Sequence, residues 1–222
     1  AQKKKFLPPL CRGEGLWGFG LTEPSAGSDA GGSKTTAVQD GNEWVINGSK
    51  IFITNAACEL SLGVTVQAVT GRRDSGKPEY SCFIVEHGTP GFEAVPMHGK
   101  MMWRASNTAE LYFNDVRVPA ENLLGSKGDG FHQMLATLDG GRLSIGAMGL
   151  GGAQGAYDLA LGYARQRQQF GQPISKFQAV AFKLADSAVE IECARNLLYK
   201  ACWLKNQGLP FEKEAAMAKL YC

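Results

Sequence analysis

The 222-residue chain contains no run of roughly 18 apolar residues, so no membrane span is expected. Its formal charge of +2 is nearly balanced, and the only basic run is Lys3-Lys4-Lys5. A phosphate backbone therefore finds no cationic surface to bind, and no nucleic-acid partner is expected. The first residues lack the charged, apolar and small-residue succession of a signal peptide. Six cysteines, at positions 11, 58, 82, 193, 202 and 222, include no CxxC pair. They read as buried, reduced thiols, which points to bacterial cytoplasm or the mitochondrial matrix. His87, His98 and His132 lie far apart without HxxxH spacing, so no metal site is predicted. GxxxxGK[ST] and GxSxG are both missing, which removes P-loop and hydrolase-elbow chemistry. Gly13-Glu14-Gly15-Leu16-Trp17-Gly18 fits GxGxxG, but Pro8-Pro9 before it and Pro24 after it deny the strand and helix a dinucleotide fingerprint needs.

What is present divides into two halves of different period. Hydrophobic residues at 44% and charged ones at 20% suit a soluble globular protein. From about residue 13 to 124 short β-rich runs alternate with Gly, Pro, Asn and Asp: 35–38, 44–46, 50–54, 62–69, 80–85 and 109–113. Asn47-Gly48 predicts a hairpin between two of them, and 71–78 a polar connection between two more. Many short strands without intervening helices predict a small barrel or sandwich. Beyond Gly130 the period lengthens. Phe177, Val180, Leu184, Ala188, Ile191, Ala194, Leu198 and Ala201 share one face of a helix of about 30 residues. Gly208 and Pro210 end it, and 211–221 opens another helix. Long helices with short connections predict an antiparallel bundle. The fold class is thus α+β and multi-domain, with domains at 1–12, 13–126 and 127–222. Seven glycines in 140–155 signify either a broken helix or a helix face stripped for close approach.

The segment FGLTEPSAGSDAG, residues 19–31, is polar and turn-rich. Hydroxyls and free N–H groups in a Gly-containing turn make an anion-binding concavity. Thr22 is placed to donate to a carbonyl or ring nitrogen and Ser28 to a phosphate oxygen. Glu23 and Asp29 are either general bases or, by preference, acids that close the turn.

This segment resembles the flavin-binding signature of the acyl-CoA dehydrogenases. NGSKIFITNA (47–56) resembles their second signature, and ARQRQQFGQPISKFQAVAFKLAD (164–186) their third. The three follow in the right order and spacing across nearly the whole chain. LDGGRL (138–143) is most similar to the short-chain, butyryl-CoA type. The resemblance implies FAD held between a middle β-barrel and a C-terminal helical bundle. It implies oxidation of an acyl-CoA thioester to trans-2-enoyl-CoA, with electrons passed to electron-transfer flavoprotein, by a homo-oligomer (tetramer or dimer).

Carried over residue by residue, Phe19, Leu21 and Thr22 approach the isoalloxazine, and Gly27 and Ser28 the pyrophosphate, with Ser28 also near the CoA chain. Phe52, Ile53 and Thr54 run along the ring, the Thr54 hydroxyl facing N5, where a donor suits reduction. Packing in a strand is the competing role for 51–53. Asp139 and Arg142 match positions near CoA. Arg167, Phe170 and Gln178 match positions that reach the FAD of a neighbouring subunit.

Three departures stand out. Phe52 replaces a Trp found in some members. Met102-Trp103 precedes Arg104 where small or aliphatic residues are expected, and barrel filling is preferred to a role in the acyl pocket. No catalytic carboxylate is assigned: position 141, one alternative site of the base, is glycine, and no Tyr-Glu-Gly-Thr segment is present. The chain is therefore expected to be a central fragment, inactive alone, lacking the N-terminal helical domain and the region of the catalytic Glu. The competing readings are a related flavoprotein oxidase and a non-catalytic binding protein on the same scaffold.

Overall fold

The computed structural model describes all 222 residues, which form two compact units, Ala1–Met134 and Leu135–Cys222. In the first, helix α1 (Gln2–Cys11) leads into strands β1 (Leu16–Gly20), β2 (Thr36–Asp40), β3 (Glu43–Thr54), β4 (Ser61–Arg72), β5 (Pro78–Glu86), β6 (Phe92–Pro96), β7 (Thr108–Pro119) and β8 (Leu123–Leu124). The hydrogen-bonded path runs β6-β7-β3-β2-β4-β5-β8. Strand β1 pairs parallel with the first half of β4, and Thr36 of β2 pairs with Val69 in its second half.

The expected barrel is present only as a curled sheet: β6 and β8 end the path without pairing to each other. The curl is visible in the core. Trp44 on β3 and Phe83 on β5 have ring centroids 5.1 Å apart. Three flat strand spacings would separate them by roughly 14 Å, so the sheet folds over its own apolar face. Ile46, Val64, Val66, Phe83, Leu111, Phe113 and Val116 fill that fold and are almost fully buried.

The predicted hairpin at Asn47-Gly48 is corrected. Strand β3 runs straight through it, and the turn lies at Asp40-Gly41-Asn42-Glu43, with Gly41 at φ +61°. Asn47-Gly48 instead faces a bulge in β7: register shifts between Ile46 and Gly48, and the extra residue, Asp115, has φ +50°. Asn47 Nδ2 donates to Asp115 Oδ1 (3.0 Å), and Asp115 N–H donates to Asn47 Oδ1 (2.8 Å). A long-range side-chain partner has won over the local turn preference. The sequence reading also contains no strand at β1, whose five residues include two glycines and whose partner lies about 45 residues on.

In the second unit α2 (Gly130–Gln166, its first turn belonging to the first unit) is one unbroken helix despite its glycines. A hairpin of β9 (Gln168–Gln169) and β10 (Gln172–Pro173) follows, then α3 (Gln178–Asn206) and α4 (Glu212–Tyr221). Positions ascending α2 meet positions descending α3: a Cβ at Gly140 would lie by Lys205, one at Gly146 by Leu198, and Arg195 Nη2 donates to Gln154 Oε1. The two helices are antiparallel. Along α4 the order ascends, Gly146 facing Ala218 and Gly149 facing Cys222, so α4 runs parallel to α2. Leu143, Leu150, Ile191, Ala194, Leu198, Ala201, Ala215 and Ala218 form the core. Glycine stripping thus serves close packing at 146 and 149, whereas Gly141, Gly151, Gly152 and Gly155 face open space.

The cysteine expectation is corrected as well. All six are free, but only Cys82 is buried; Cys11 and Cys193 are exposed on helix faces. No helix is long and apolar enough to cross a membrane.

Candidate functional site

Strand alternation explains the site in the first unit. Along β3 the inward positions are Trp44, Ile46 and then Lys50. A lysine on the inner face needs a partner there, since an isolated buried charge is costly. That partner is Glu23: Lys50 Nζ lies 2.8 Å from Glu23 Oε1, with both side chains buried. The ammonium also donates to Leu21 O (3.2 Å) and Ser33 Oγ (3.0 Å), which uses all three of its donors. The carboxylate accepts from Ser33 Oγ (2.5 Å), Lys34 N–H (2.7 Å) and Thr35 N–H (3.0 Å). Burial pushes the Glu23 carboxyl up, but the bonds from Lys50, Ser33 and Lys34 outweigh it and hold its pKa at about 2. Burial lowers the Lys50 pKa, and Glu23 opposes that shift.

This pair fixes the polar loop. Glu23 and Ala26 exchange backbone bonds in a tight turn, N–H to O at 2.9 and 3.1 Å. Tyr80 Oη donates to Gly31 O, and Gln67 Nε2 to Ala30 O at 3.3 Å, tying the loop's end to β5 and β4. Between these anchors Gly27 and Ser28 are exposed. Their backbone N–H groups have no protein acceptor, and a Cβ at Gly27 would meet nothing. Unpaired N–H groups in a fixed turn attract an anion.

The second signature adds an aromatic surface. Between Lys50 and Ile53 the register with β7 shifts by one residue, and the extra residue is Phe52 at φ +62°. A bulge re-aims a side chain, and the Phe52 ring is 61% exposed. Thr54 beyond it is exposed, and Thr22 and Phe19 are half-buried. The Ile51 N–H donates to Thr22 O at 2.9 Å, joining the two signature segments directly. Two candidate residues point inward. Ile53 packs in the sheet core, and Leu21 packs against Cys82 and Met134. Neither side chain is open to an outside ligand. Burial raises the Cys82 thiol pKa to about 12, so it is no nucleophile at neutral pH.

In the second unit Asp139 and Arg142 lie one turn apart on α2 and form an ion pair. Arg167 directly follows α2, Gln178 begins α3, and both are exposed. Phe170 sits at the hairpin tip between them, at φ +52° and 92% exposed, with its ring edge-on to Phe177 at 6.0 Å. The groove of about 490 Å³ along α2, α3 and α4 holds none of these residues.

One placement is a correction. Met102 and Trp103 do not fill the sheet; they are 65% and 60% exposed, with Trp103 at φ +55°. The residue that sequence reasoning missed is Lys50. Its signal was present: it shares strand parity with Trp44 and Ile46.

The family described as "Acyl-CoA dehydrogenase, middle domain" matches residues 18–116, and "Acyl-CoA dehydrogenase, C-terminal domain" matches 128–222. The chain is 55% identical over 220 residues to "Probable acyl-CoA dehydrogenase YngJ" of Bacillus subtilis, covering 99% of this chain and 57% of that protein. Butyryl-CoA dehydrogenase from Megasphaera elsdenii superposes with a TM-score of 0.92 at 48% identity, over 99% of this chain and 57% of its own. The structure "Electron transferring flavoprotein of Acidaminococcus fermentans" gives 0.91 at 48%, with the same coverage. A glutaryl-CoA dehydrogenase from Mycobacterium smegmatis in complex with FADH2 gives 0.89 at 33%, over 99% of this chain and 55% of that one. The chain thus spans somewhat more than half the length of these relatives. With two domain families matched in order over most of its length, the chain belongs to the acyl-CoA dehydrogenase family.

Proposed function

We propose that the protein to which these 222 residues belong is an FAD-dependent dehydrogenase of short-chain acyl-CoA thioesters, forming the trans-2-enoyl-CoA and passing electrons to an electron-transfer flavoprotein. The observation that carries this reading is the joined surface of the first unit, where free N–H groups at Gly27 and Ser28 and the outward ring of Phe52 are held on one framework. That donor set fits FAD. Unpaired amides suit its pyrophosphate, and an exposed aromatic with threonine hydroxyls at 22 and 54 suits a planar ring with polar edges. The flavin, when bound, supplies the hydride-accepting chemistry.

The chain's own residues have these proposed tasks. Phe19, Thr22, Phe52 and Thr54 line the ring, Leu21 and Ile53 through their backbones, and the Thr54 hydroxyl donates towards N5. Gly27 and Ser28 bind phosphate oxygens, and Ser28 also approaches the acyl-CoA chain. Asp139 and Arg142 bind the CoA portion as a pair. Arg167, Phe170 and Gln178 reach the flavin of a neighbouring subunit in a homo-oligomer. No acid described above is proposed as the base that removes the α-proton: Glu23 is committed to Lys50 and Asp139 to Arg142, and Asp29 keeps the turn-closing role, at the N-cap of the short 3-10 turn 30–32. We assign that role to a part of the protein outside residues 1–222. The proposed domain limits remain 1–12, 13–126 and 127–222, and the proposed compartment is bacterial cytoplasm or the mitochondrial matrix.

The test is anaerobic addition of butyryl-CoA to the purified full-length protein. Bleaching of the flavin absorbance is expected, with recovery on adding electron-transfer flavoprotein. A flavin that stays oxidised with every short acyl-CoA would sink the reading, and rapid recovery with oxygen alone would favour an oxidase.

A further inference from the structure

We infer that Glu23 and Lys50 are the positioning pair of the flavin site, setting the register between the loop at 22–28 and the bulge at Phe52. This rests on the flavin reading above and adds residues to it that neither touch the ligand nor carry chemistry.

Five interactions cross between residues 21–35 and β3 next to the bulge. Lys50 Nζ donates to Leu21 O and Ser33 Oγ and pairs with Glu23; Ile51 N–H donates to Thr22 O; Thr35 Oγ1 donates to Ser49 O (3.3 Å). Three of the five belong to the Lys50 ammonium. The residues on either side of it, Leu21-Thr22 and Phe52-Ile53-Thr54, are the proposed ring wall. A shift of one residue along a strand would turn Phe52 to the other face. The β3 bulge makes such slippage easy, because the ladder is already interrupted there. A buried, fully hydrogen-bonded charge pair permits one register only, which is the specifying role such pairs can have. Neither group has capacity left for catalysis: the three Lys50 donors are used, and each Glu23 oxygen already accepts.

The experiment is FAD titration of the full-length apoprotein, with the visible flavin spectrum recorded at saturation. Glu23→Gln and Lys50→Met are each expected to raise the FAD Kd at least tenfold and to shift the flavin absorbance band. The double variant should lie close to either single one, since the two act as one device. Val116→Ala, a core change in β7 remote from both segments in sequence, is the matched control. It should lower thermal stability yet keep the wild-type Kd and band. Ser33→Ala, which removes one bond from each partner, gives a milder version if the charge variants do not fold, with a smaller change in the same direction. Wild-type Kd and band in Glu23→Gln, or in Ser33→Ala where the charge variants fail, would overturn the positioning role. No FAD binding by the wild-type protein would overturn the flavin reading itself.

Discussion

The two units hold their candidate residues in opposite ways. In the first, Thr22, Ser28, Phe52 and Thr54 stand on a framework whose buried centre is an ion pair. In the second, Arg167, Phe170 and Gln178 stand on or beside a hairpin between two helices, and Phe170 is almost fully exposed, with its ring edge-on to Phe177. The first surface is fixed from inside; the second is presented outward and depends on whatever meets it. Buried polar groups are costly unless satisfied, so they specify one arrangement. Exposed groups specify little by themselves. Substitutions at the framework should therefore cost stability, whereas those at the presented surface should leave it nearly unchanged.

The largest effect is expected from Lys50→Met. It removes one partner of a buried pair and should destabilise the first unit by about 3–5 kcal/mol, read as a fall in the urea midpoint. Adding Glu23→Gln should recover part of that loss. The same pair predicts acid sensitivity. The Glu23 pKa lies at about 2 in the folded protein, against an ordinary 4.5. A depressed carboxyl contributes its full stability above about pH 4.5 and loses it as pH falls towards about 2. The shift corresponds to roughly 3 kcal/mol. In Glu23→Gln this part of the acid limb should vanish. A stability–pH curve below 4.5 parallel to that of the wild type would show that the pair does not govern it.

Glycines sharpen the contrast at the next scale. Gly48 has φ +145°, and a Cβ there would lie 2.7 Å from the Thr35 Cα. Gly48→Ala should cost about 3 kcal/mol through overpacking and backbone strain. Gly152 lies within α2 with open space at its Cβ position. Gly152→Ala should instead stabilise the second unit by about 0.5–1 kcal/mol through helix propensity. Thermal melts of the two variants should move in opposite directions.

These glycines also show how far the fold was legible. The face Ile191, Ala194, Leu198, Ala201 was plain in the sequence, because a helix repeats its pattern locally. The continuity of α2 was not, because whether a glycine breaks a helix or admits a neighbour depends on α3 and α4. Asn47-Gly48 misled for the same reason. The dipeptide favours a turn, but Asp115, 68 residues away, holds Asn47 in a strand. For the site, the loop and the NGSKIFITNA segment were readable as separate pieces. What joins them was half readable: strand parity put Lys50 inside, but nothing local named Glu23 as its partner. The outward turn of Phe52 follows from a one-residue mismatch between β3 and β7, which no single strand displays.

The smallest expected effect separates folding from assembly. Phe170 occupies the first position of a two-residue turn, followed by Gly171 at φ +77°. A bulky residue at positive φ carries strain of about 1 kcal/mol, and Asn-Gly is the pair such a turn favours. Phe170→Asn should therefore raise the melting temperature of the second unit slightly. If the exposed ring reaches a neighbouring subunit, the same change should weaken the oligomer, seen as dissociation at lower dilution in sedimentation velocity. Stability and association would then move in opposite directions from one substitution. A variant that melts earlier and associates normally would show that the ring serves its own hairpin through Phe177, and the contrast between the two units would lose its second half.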